Sequence, residues 1–177
     1  MDFKWISEKI LDEINSILSR VDEKKVEQLV DAILSSERIF VTGLGRSGLV
    51  ARSFAIRLMH LGIKVLIVGD ITTPAIKSRD LLIAISGSGE TPIIQHIVTK
   101  AKESDATIFL ITAKAEANIS KSCDCMLLLP EVEKRVLPLR SAFEASAYIL
   151  LDTAIIMIMD KTGVTQNEMM ERHSNLE

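Results

Sequence analysis

Two segments at the start of the chain carry apolar residues at helical spacing. In residues 3–18, isoleucines recur every three or four positions, and residues 22–36 repeat the pattern through positions such as Leu29 and Ile33. This spacing gathers the apolar side chains on one face, so it predicts two amphipathic helices. Asp22 stands where its side chain can cap the second helix.

From residue 38 onward, short β-branched and aliphatic runs alternate with longer helical segments. The runs predict strands at residues 38–42, 64–68, 80–86, 107–112 and 125–129. The longer segments predict helices at residues 47–61, 91–104 and 141–161, followed by a polar tail. Such alternation is typical of an α/β fold, in which a five-stranded parallel sheet with right-handed crossovers is covered by helices.

The length of 177 residues fits one domain. We expect residues 1–36 to form an N-terminal helical extension, residues 37–163 the α/β core, and residues 164–177 a C-terminal tail. Hydrophobic residues make up 47% of the chain and aromatic residues only 4%. The core is therefore mainly aliphatic, which suits the buried strands of a parallel sheet.

Charge and cysteine content exclude several classes of protein. The net charge of −3, from 21 basic and 24 acidic residues, gives no basic surplus of the kind that nucleic-acid binding uses. Cys123 and Cys125 are too few for a disulfide framework, and no second Cys/His cluster stands near them. We therefore expect structural or free thiols rather than a metal site.

Membrane and export signals are also missing from the pattern. The most apolar stretch, residues 145–159, is shorter than the roughly 18 residues of a membrane span and contains Asp152. The first ten residues lack the continuous apolar region of a signal peptide. These features predict a cytoplasmic protein with no membrane partner.

A glycine-rich loop, GLGRSG, follows the first predicted strand at residues 43–48. Its glycines permit a sharp turn and let backbone N–H groups approach a ligand, and the next helix adds partial positive charge at its N-terminus. Arg46 can pair with a phosphate or carboxylate, or form a surface salt bridge. The glycines at positions 43, 45 and 48 have the G-x-G-x-x-G spacing of the dinucleotide fingerprint, and Asp70 after the second strand keeps a nucleotide site open.

A second loop, SGSGET, follows the third predicted strand at residues 86–91. Three hydroxyls, two glycines and a helix that starts with Pro92 in its favoured first position together make a neutral cradle for a dianion. The loop has no lysine, so it is not a Walker-type nucleotide site. It predicts phosphate binding, and the alternative is a solvated Ser/Gly turn.

These motifs resemble those of the sugar isomerase (SIS) family, whose phosphate-binding signature is similar to SGSGET. Three further segments resemble the 6-phospho-3-hexuloisomerase subgroup of that family. They are GLGRSGLVARSFAIRLMHLG at residues 43–62, PLRSAFEASAYILLD at residues 138–152 and RHSNLE at residues 172–177. The resemblance covers essentially the whole chain.

The resemblance implies a Rossmann-like three-layer α/β/α domain that assembles into a homotetramer. It implies interconversion of D-arabino-hex-3-ulose 6-phosphate and D-fructose 6-phosphate without a metal or organic cofactor. By the same resemblance, Glu144 is the base. The expected substrate- and phosphate-binding residues, with Gly45 and Arg46 added from the first loop, are Gly45, Arg46, Ser47, Ser86, Gly87, Ser88, Gly89, Glu90 and Thr91.

The reaction moves a carbonyl from C3 to C2. A base removes the proton at C2, a 2,3-enediolate forms, the proton returns at C3, and a second group shuttles the hydroxyl protons. Position alone makes Glu144, in the first turn of a helix, a dipole-stabilising residue, but the resemblance favours catalysis.

Three histidines are candidates for the proton shuttle. His96 is expected at the surface and His60 at the end of a helix. His173 ranks ahead of His60, because it stands in a polar tail with no apolar run to hold it on its own domain. We expect active sites at subunit interfaces, with His173 reaching the Glu144 pocket of a neighbouring chain.

Three other functions remain open. The chain could be a SIS isomerase for arabinose 5-phosphate or a heptose phosphate, a non-catalytic phosphosugar-binding module, or a nucleotide-binding protein. Regulators that use such a module join it to a DNA-binding helix-turn-helix, whereas the residues before the first strand here are not basic. The missing Walker-type lysine disfavours the nucleotide site.

Overall fold

The computed structural model describes residues 2–133 and 135–176. Glu177, the last residue of the RHSNLE segment, lies outside the described residues. In chain order the elements are α1 (Phe3–Leu18), α2 (Glu23–Ser35), β1 (Ile39–Gly43), α3 (Gly45–His60), β2 (Val65–Ile67), β3 (Leu81–Ile85), α4 (Pro92–Glu103), β4 (Thr107–Thr112), β5 (Cys125–Leu128), α5 (Ser141–Thr162) and α6 (Gln166–Glu171). Short 3-10 turns span Ile119–Ser122 and Pro138–Arg140.

The five strands form one parallel sheet in the order β2-β1-β3-β4-β5. This confirms the predicted five-stranded parallel sheet. The order reverses between β1 and β3, where Gly43 pairs with Ile85 at the carboxyl ends of the two strands. Ligands bind at such a switch point in open α/β sheets. The two loops singled out in the sequence, after β1 and after β3, are therefore neighbours.

Alternating residues of the strands point into two separate cores. Val41, Ile83 and Phe109 belong to the core shared with α1, α2, α3 and α5. Phe40 and Leu82 belong to the core on the other face, under α4 and the 3-10 turn Ile119–Ser122. The result is three layers, helices–sheet–helices, as expected.

Local signals set the ends of several helices. Asp22 caps α2 as predicted, since its side chain accepts a hydrogen bond of 3.0 Å from the Lys24 N–H. Thr91 occupies the N-cap of α4 and Pro92 its first position. Gly62, with φ of +82°, ends the turn after α3 in a backbone conformation that favours glycine.

Helix α5 is long and apolar enough, by length and composition, to cross a membrane. However, half of its apolar window is buried inside the molecule, where α5 packs against α1, α2 and α3. This agrees with the expectation of a buried helix. Its other side, which includes Tyr148 and Ile156, is exposed.

The C-terminal segment differs from the prediction. It contains α6, whose N-terminus is fixed by a capping box between Thr165 and Glu168. Met169 is buried against the core, and Arg172 Nη1 donates a 3.0 Å hydrogen bond to the His60 carbonyl. The expectation that nothing holds this tail to its own domain is wrong, because a capped short helix with one buried methionine suffices.

The two cysteines are free thiols. Cys123 packs with the core under α4, whereas Cys125 packs with the opposite core, and burial raises the pKa of the Cys123 thiol. Within residues 2–133 and 135–176, no three His, Cys, Asp or Glu side chains are grouped so that they could hold a metal ion.

Candidate active site

The loop between β1 and α3 turns too tightly for larger residues. A Cβ on Gly43 would lie 2.8 Å from the backbone of Ser47, and a Cβ on Gly48 would lie 2.8 Å from the Gly43 carbonyl oxygen. Both distances are shorter than a carbon atom tolerates, so glycine is required at these two positions. The tight turn delivers Ser47, whose side chain is buried, to the carboxyl end of the sheet.

The loop between β3 and α4 brings three hydroxyls together. Ser86 Oγ accepts a 3.2 Å hydrogen bond from the Gly89 N–H and lies 3.5 Å from Thr91 Oγ1. Ser88 Oγ accepts a 3.2 Å hydrogen bond from the Glu90 N–H. Thr91 caps no amide of α4 with its side chain, so the first N–H groups of this helix stay available to an anion.

A cavity of about 210 Å³ lies between the two loops and the start of α5. The hydroxyl loop packs directly on α5, since a Cβ on Gly87 would lie 3.0 Å from the ring of Phe143. Both polar and apolar side chains line the cavity. The predicted site residues that line it are Ser47, Ser86, Gly87, Ser88, Thr91 and Glu144.

Glu144 lies in the first turn of α5 with only 16% of its side chain exposed. Its Oε1 accepts a 3.2 Å hydrogen bond from Ser47 Oγ. Its Oε2 is buried and has no hydrogen-bond partner among the described residues, and the guanidinium Nε of Arg46 lies 3.6 Å away. One oxygen is thus held by a hydrogen bond, and the other has no hydrogen bond and keeps a lone pair that can accept a proton.

The comparisons with known proteins agree with this geometry. Residues 32–157 match the family model described as the SIS domain. The chain belongs to the SIS domain family. It is 38% identical to the 3-hexulose-6-phosphate isomerase of Bacillus subtilis, over 96% of each protein. It is 39% identical to the enzyme of the same name from Methanocaldococcus jannaschii, over 87% of this chain and 85% of that relative.

A solved structure extends the agreement to three dimensions. The crystal structure of a hypothetical protein from Methanococcus jannaschii, described as inferring a molecular function of 3-hexulose-6-phosphate isomerase, superimposes with a TM-score of 0.86. The two chains are 37% identical, and 97% of each is covered. The SIS fold therefore extends over nearly the whole chain, including the helices that precede the family match.

Arg46 stands at the mouth of the SIS cavity rather than inside it. Its side chain is largely exposed and forms an ion pair with Glu144, beside a shallow depression that also contains Leu49 and Tyr148. Of the two roles that the sequence left open, the structure shows the salt bridge, and the partner is the candidate base itself. Gly45 has φ of +56° and lies next to the mouth.

Glu90 is placed differently from the prediction that it binds phosphate. Its Oε1 accepts a 2.9 Å hydrogen bond from the Asn118 N–H, and its Oε2 accepts one of 2.5 Å from Asn118 Nδ2. A carboxylate would repel a phosphate dianion, and these two hydrogen bonds direct the Glu90 side chain to Asn118, just before the 3-10 turn Ile119–Ser122. Gly89 packs closely against the same segment, because a Cβ on Gly89 would lie only 2.4 Å from Ala117 Cβ.

His60 and His173 are brought together at the opposite end of α3. Their rings stack with centroids 5.0 Å apart. They lie one helix length from Ser47, roughly 20 Å at the rise of an α-helix. Within one chain, neither histidine meets Glu144, so a role in the same site requires a second chain. His96 is exposed on α4, as expected.

The stacked pair carries a prediction about protonation. Burial lowers the pKa of His60 below its ordinary value of 6.5, and the positive charges of His173 and Arg57 lower it further. We expect His60 to titrate below 6.5 in an NMR titration, and His173→Ala to raise its pKa toward that value. A His60 pKa that is unchanged or lower in His173→Ala would contradict the coupling.

The sequence reasoning missed three charged residues of the cavity, namely Glu13, Glu131 and Arg135. Arg135 pairs with Glu131. Glu13 had a detectable signal, because it stands on the apolar stripe of α1 between Ile10 and Ile17, where a carboxylate is buried only with partners.

Proposed function

We propose that this chain is a 3-hexulose-6-phosphate isomerase, which interconverts D-arabino-hex-3-ulose 6-phosphate and D-fructose 6-phosphate. The observation that carries the proposal is one cavity that holds the hydroxyl loop and a carboxylate with an unbonded oxygen, that of Glu144. Relatives of that name, similar over nearly the full length, support this substrate over arabinose 5-phosphate or a heptose phosphate.

In this proposal the substrate phosphate binds to the hydroxyl loop. Ser86, Ser88 and Thr91 offer hydroxyl donors, and the N-terminus of α4 offers free N–H groups and the positive end of its dipole. This arrangement binds a dianion without a lysine. The sugar carbons then extend toward α5 along the cavity.

In this mechanism, Glu144 transfers the proton between C2 and C3. Its Oε2 takes the proton from C2 of the 3-ketose, and the electrons form the 2,3-enediolate. The same oxygen returns the proton at C3, which leaves the carbonyl at C2. Ser47 and Arg46 hold the carboxylate in position through the hydrogen bond of 3.2 Å and the ion pair of 3.6 Å. Proton transfers alone move the carbonyl, so the proposal needs neither metal nor organic cofactor.

The direct experiment measures formation of fructose 6-phosphate from hex-3-ulose 6-phosphate, coupled to NADPH production through glucose 6-phosphate. We expect turnover that depends on enzyme concentration, and none with arabinose 5-phosphate or sedoheptulose 7-phosphate. Turnover of one of those sugars instead would assign another SIS isomerase. Tight binding without turnover of any of them would assign a non-catalytic module.

The hydroxyl loop gives a second prediction. Ser86→Ala, Ser88→Ala and Thr91→Val should each weaken fructose 6-phosphate binding by about 1–3 kcal/mol, because each removes a hydrogen bond to a charged group. Calorimetry measures the affinities. Thr99→Val, in the middle of α4 with its hydroxyl on the Gln95 carbonyl, is the matched control.

Inorganic phosphate should compete with the substrate in the wild-type protein and less well in these three variants. Unphosphorylated fructose that binds as tightly as fructose 6-phosphate would show that the loop does not recognise phosphate.

The exposed surface supports active sites shared between subunits. A shallow groove between α3 and α5 begins at Arg46 and Glu144 and ends at His60 and His173. The two helices that border it also carry large apolar side chains that a monomer exposes to water. They are Leu49, Ile56, Met59, Tyr148, Ile149 and Ile156.

A two-fold axis through the middle of this groove exchanges its ends. The His173 end of one copy then faces the Glu144 end of the other, because equivalent helices run antiparallel across such an axis. We propose that a homotetramer is built partly on this surface and that His173, with His60 behind it, shuttles the hydroxyl protons in the neighbour's site. We also propose that residues 1–177 act as one domain in the cytoplasm, without membrane or nucleic-acid partners.

A further inference from the structure

Glu13 is a buried carboxylate that the proposed chemistry does not use. It lies on α1, before the part of the chain that matches the SIS family model, and only 5% of it is exposed. Its Oε2 accepts hydrogen bonds of 2.7 Å from the Val136 N–H and 2.9 Å from the Leu137 N–H. The carboxylate thus joins α1 to a segment 123 positions away along the chain.

The segment it holds leads directly to the candidate base. After Leu137, the 3-10 turn Pro138–Arg140 runs into the first turn of α5, which carries Glu144. Leu139, within that turn, has φ of +54°, a conformation that side chains rarely adopt and that persists only where the surroundings impose it. The two hydrogen bonds that Glu13 accepts come from Val136 and Leu137, three and two residues before Leu139.

Hydrogen bonds to a carboxylate are shorter and stronger than those between neutral groups. Two of them on consecutive N–H groups fix both the position and the direction of the backbone. Glu13 also lines the cavity itself, together with Ile17 of the same helix. The part of the cavity wall that leads to Glu144 is therefore attached to the N-terminal helix by two hydrogen bonds.

We propose that Glu13 is a positioning residue of the active site, which sets the backbone before α5 and thereby the place of the Glu144 carboxylate in the cavity. Its kinetic consequences rest on the proposed isomerase function. We expect phosphate binding not to depend on Glu13, because the hydroxyls that hold the phosphate stand on the loop between β3 and α4.

The test compares Glu13→Ala, Glu13→Gln and the control Glu8→Ala, an exposed glutamate on the same helix. A displacement of about 1 Å at a reacting group costs on the order of 100-fold in rate, so we expect Glu13→Ala to lower kcat about 10- to 100-fold. The inhibition constant of inorganic phosphate should stay within about twofold, since the hydroxyl loop is untouched. Glu13→Gln keeps an acceptor oxygen and should retain most of the activity, and Glu8→Ala all of it.

Several outcomes would overturn the inference. One is a normal kcat in folded Glu13→Ala. Another is an equal loss of phosphate affinity, which would mean general damage rather than positioning. If Glu13→Ala does not fold, Glu13→Gln becomes the deciding variant. Because glutamine keeps an acceptor oxygen, a kcat for Glu13→Gln that is lowered about 10- to 100-fold would show that the hydrogen bonds to residue 13 do not set the activity.

Amide hydrogen exchange separates this inference from the proposed function. The Val136 and Leu137 amides should be protected in the wild type and exchange faster in Glu13→Gln, because an amide oxygen is a weaker acceptor than a carboxylate. Should the wild type fail to convert hex-3-ulose 6-phosphate, the proposed function would fail, and the exchange rates would still test the anchor. Unprotected amides at both positions would overturn the anchor even in an active enzyme.

Discussion

Glu144→Gln is expected to lower kcat for conversion of hex-3-ulose 6-phosphate about 10²- to 10⁴-fold, the usual contribution of a positioned general base. The amide keeps the shape of the side chain and an oxygen for Ser47, but it cannot take a proton. Fructose 6-phosphate affinity should change little, because the phosphate is bound by the other loop. Steady-state kinetics and calorimetry on the same preparation separate the two quantities.

The matched control is Asp160→Asn, an exposed carboxylate near the other end of α5. It should leave both kcat and affinity unchanged. If Glu144→Gln kept a kcat within threefold of the wild type, another group would be the base, and the unbonded Oε2 would have no catalytic meaning.

The second large effect is expected from mixing inactive chains. Glu144→Gln and His173→Ala proteins, each nearly inactive, would be unfolded together and refolded at equal amounts. If each site takes Glu144 from one chain and His173 from its partner, half of the random pairs are mixed, and one of the two sites in each mixed pair has both groups. Activity should then return to about a quarter of the wild-type value.

If both residues served the same chain's site, no mixed pair would contain a whole site, and the mixture would stay inactive despite proven subunit exchange. A His173→Ala enzyme with normal turnover would remove His173 from the mechanism. A double-mutant chain that carries both changes is the control, since its mixture with either single mutant must stay inactive under every arrangement.

The elements of the core could be predicted from the sequence because their signals are local. The run TIFLIT predicted β4 at the bounds it has, and Thr91-Pro92 predicted the start of α4. The strand order could not be predicted in this way. It is set by which crossovers pack on which face, so the adjacency of the two loops at β1 and β3 became visible only in the sheet.

The candidate site was predictable where a motif carries the chemistry and not where a side chain finds a distant partner. Ser47 and Ser86 could be predicted as site residues because they stand in the two glycine-containing loops. Glu90 belonged to the same motif, but its partner Asn118 stands 28 positions away, so the sequence assigned it to phosphate. Glu13 carried only the indirect signal of a charge on an apolar stripe, and its partners in residues 136–137 follow from the fold.

The packing of the C-terminal tail is a second case that the sequence pattern did not predict. A polar ending without an apolar run predicted a free tail, whereas one buried methionine, Met169, and a hydrogen bond from Arg172 hold it to α3. The position of His173 beside His60 depends on that packing. Its proposed place in a neighbour's site depends in turn on the groove between α3 and α5.

The central claim is that Glu144 moves a proton between C2 and C3 through a 2,3-enediolate, and isotope exchange tests it most directly. Fructose 6-phosphate would be incubated with the wild-type enzyme in D₂O and followed by proton NMR. We expect loss of the proton signal at C3, retention of both protons at C1, and no exchange in Glu144→Gln. Exchange at C1 would indicate a 1,2-enediol instead, and C3 exchange at the wild-type rate in Glu144→Gln would contradict the assignment of the base.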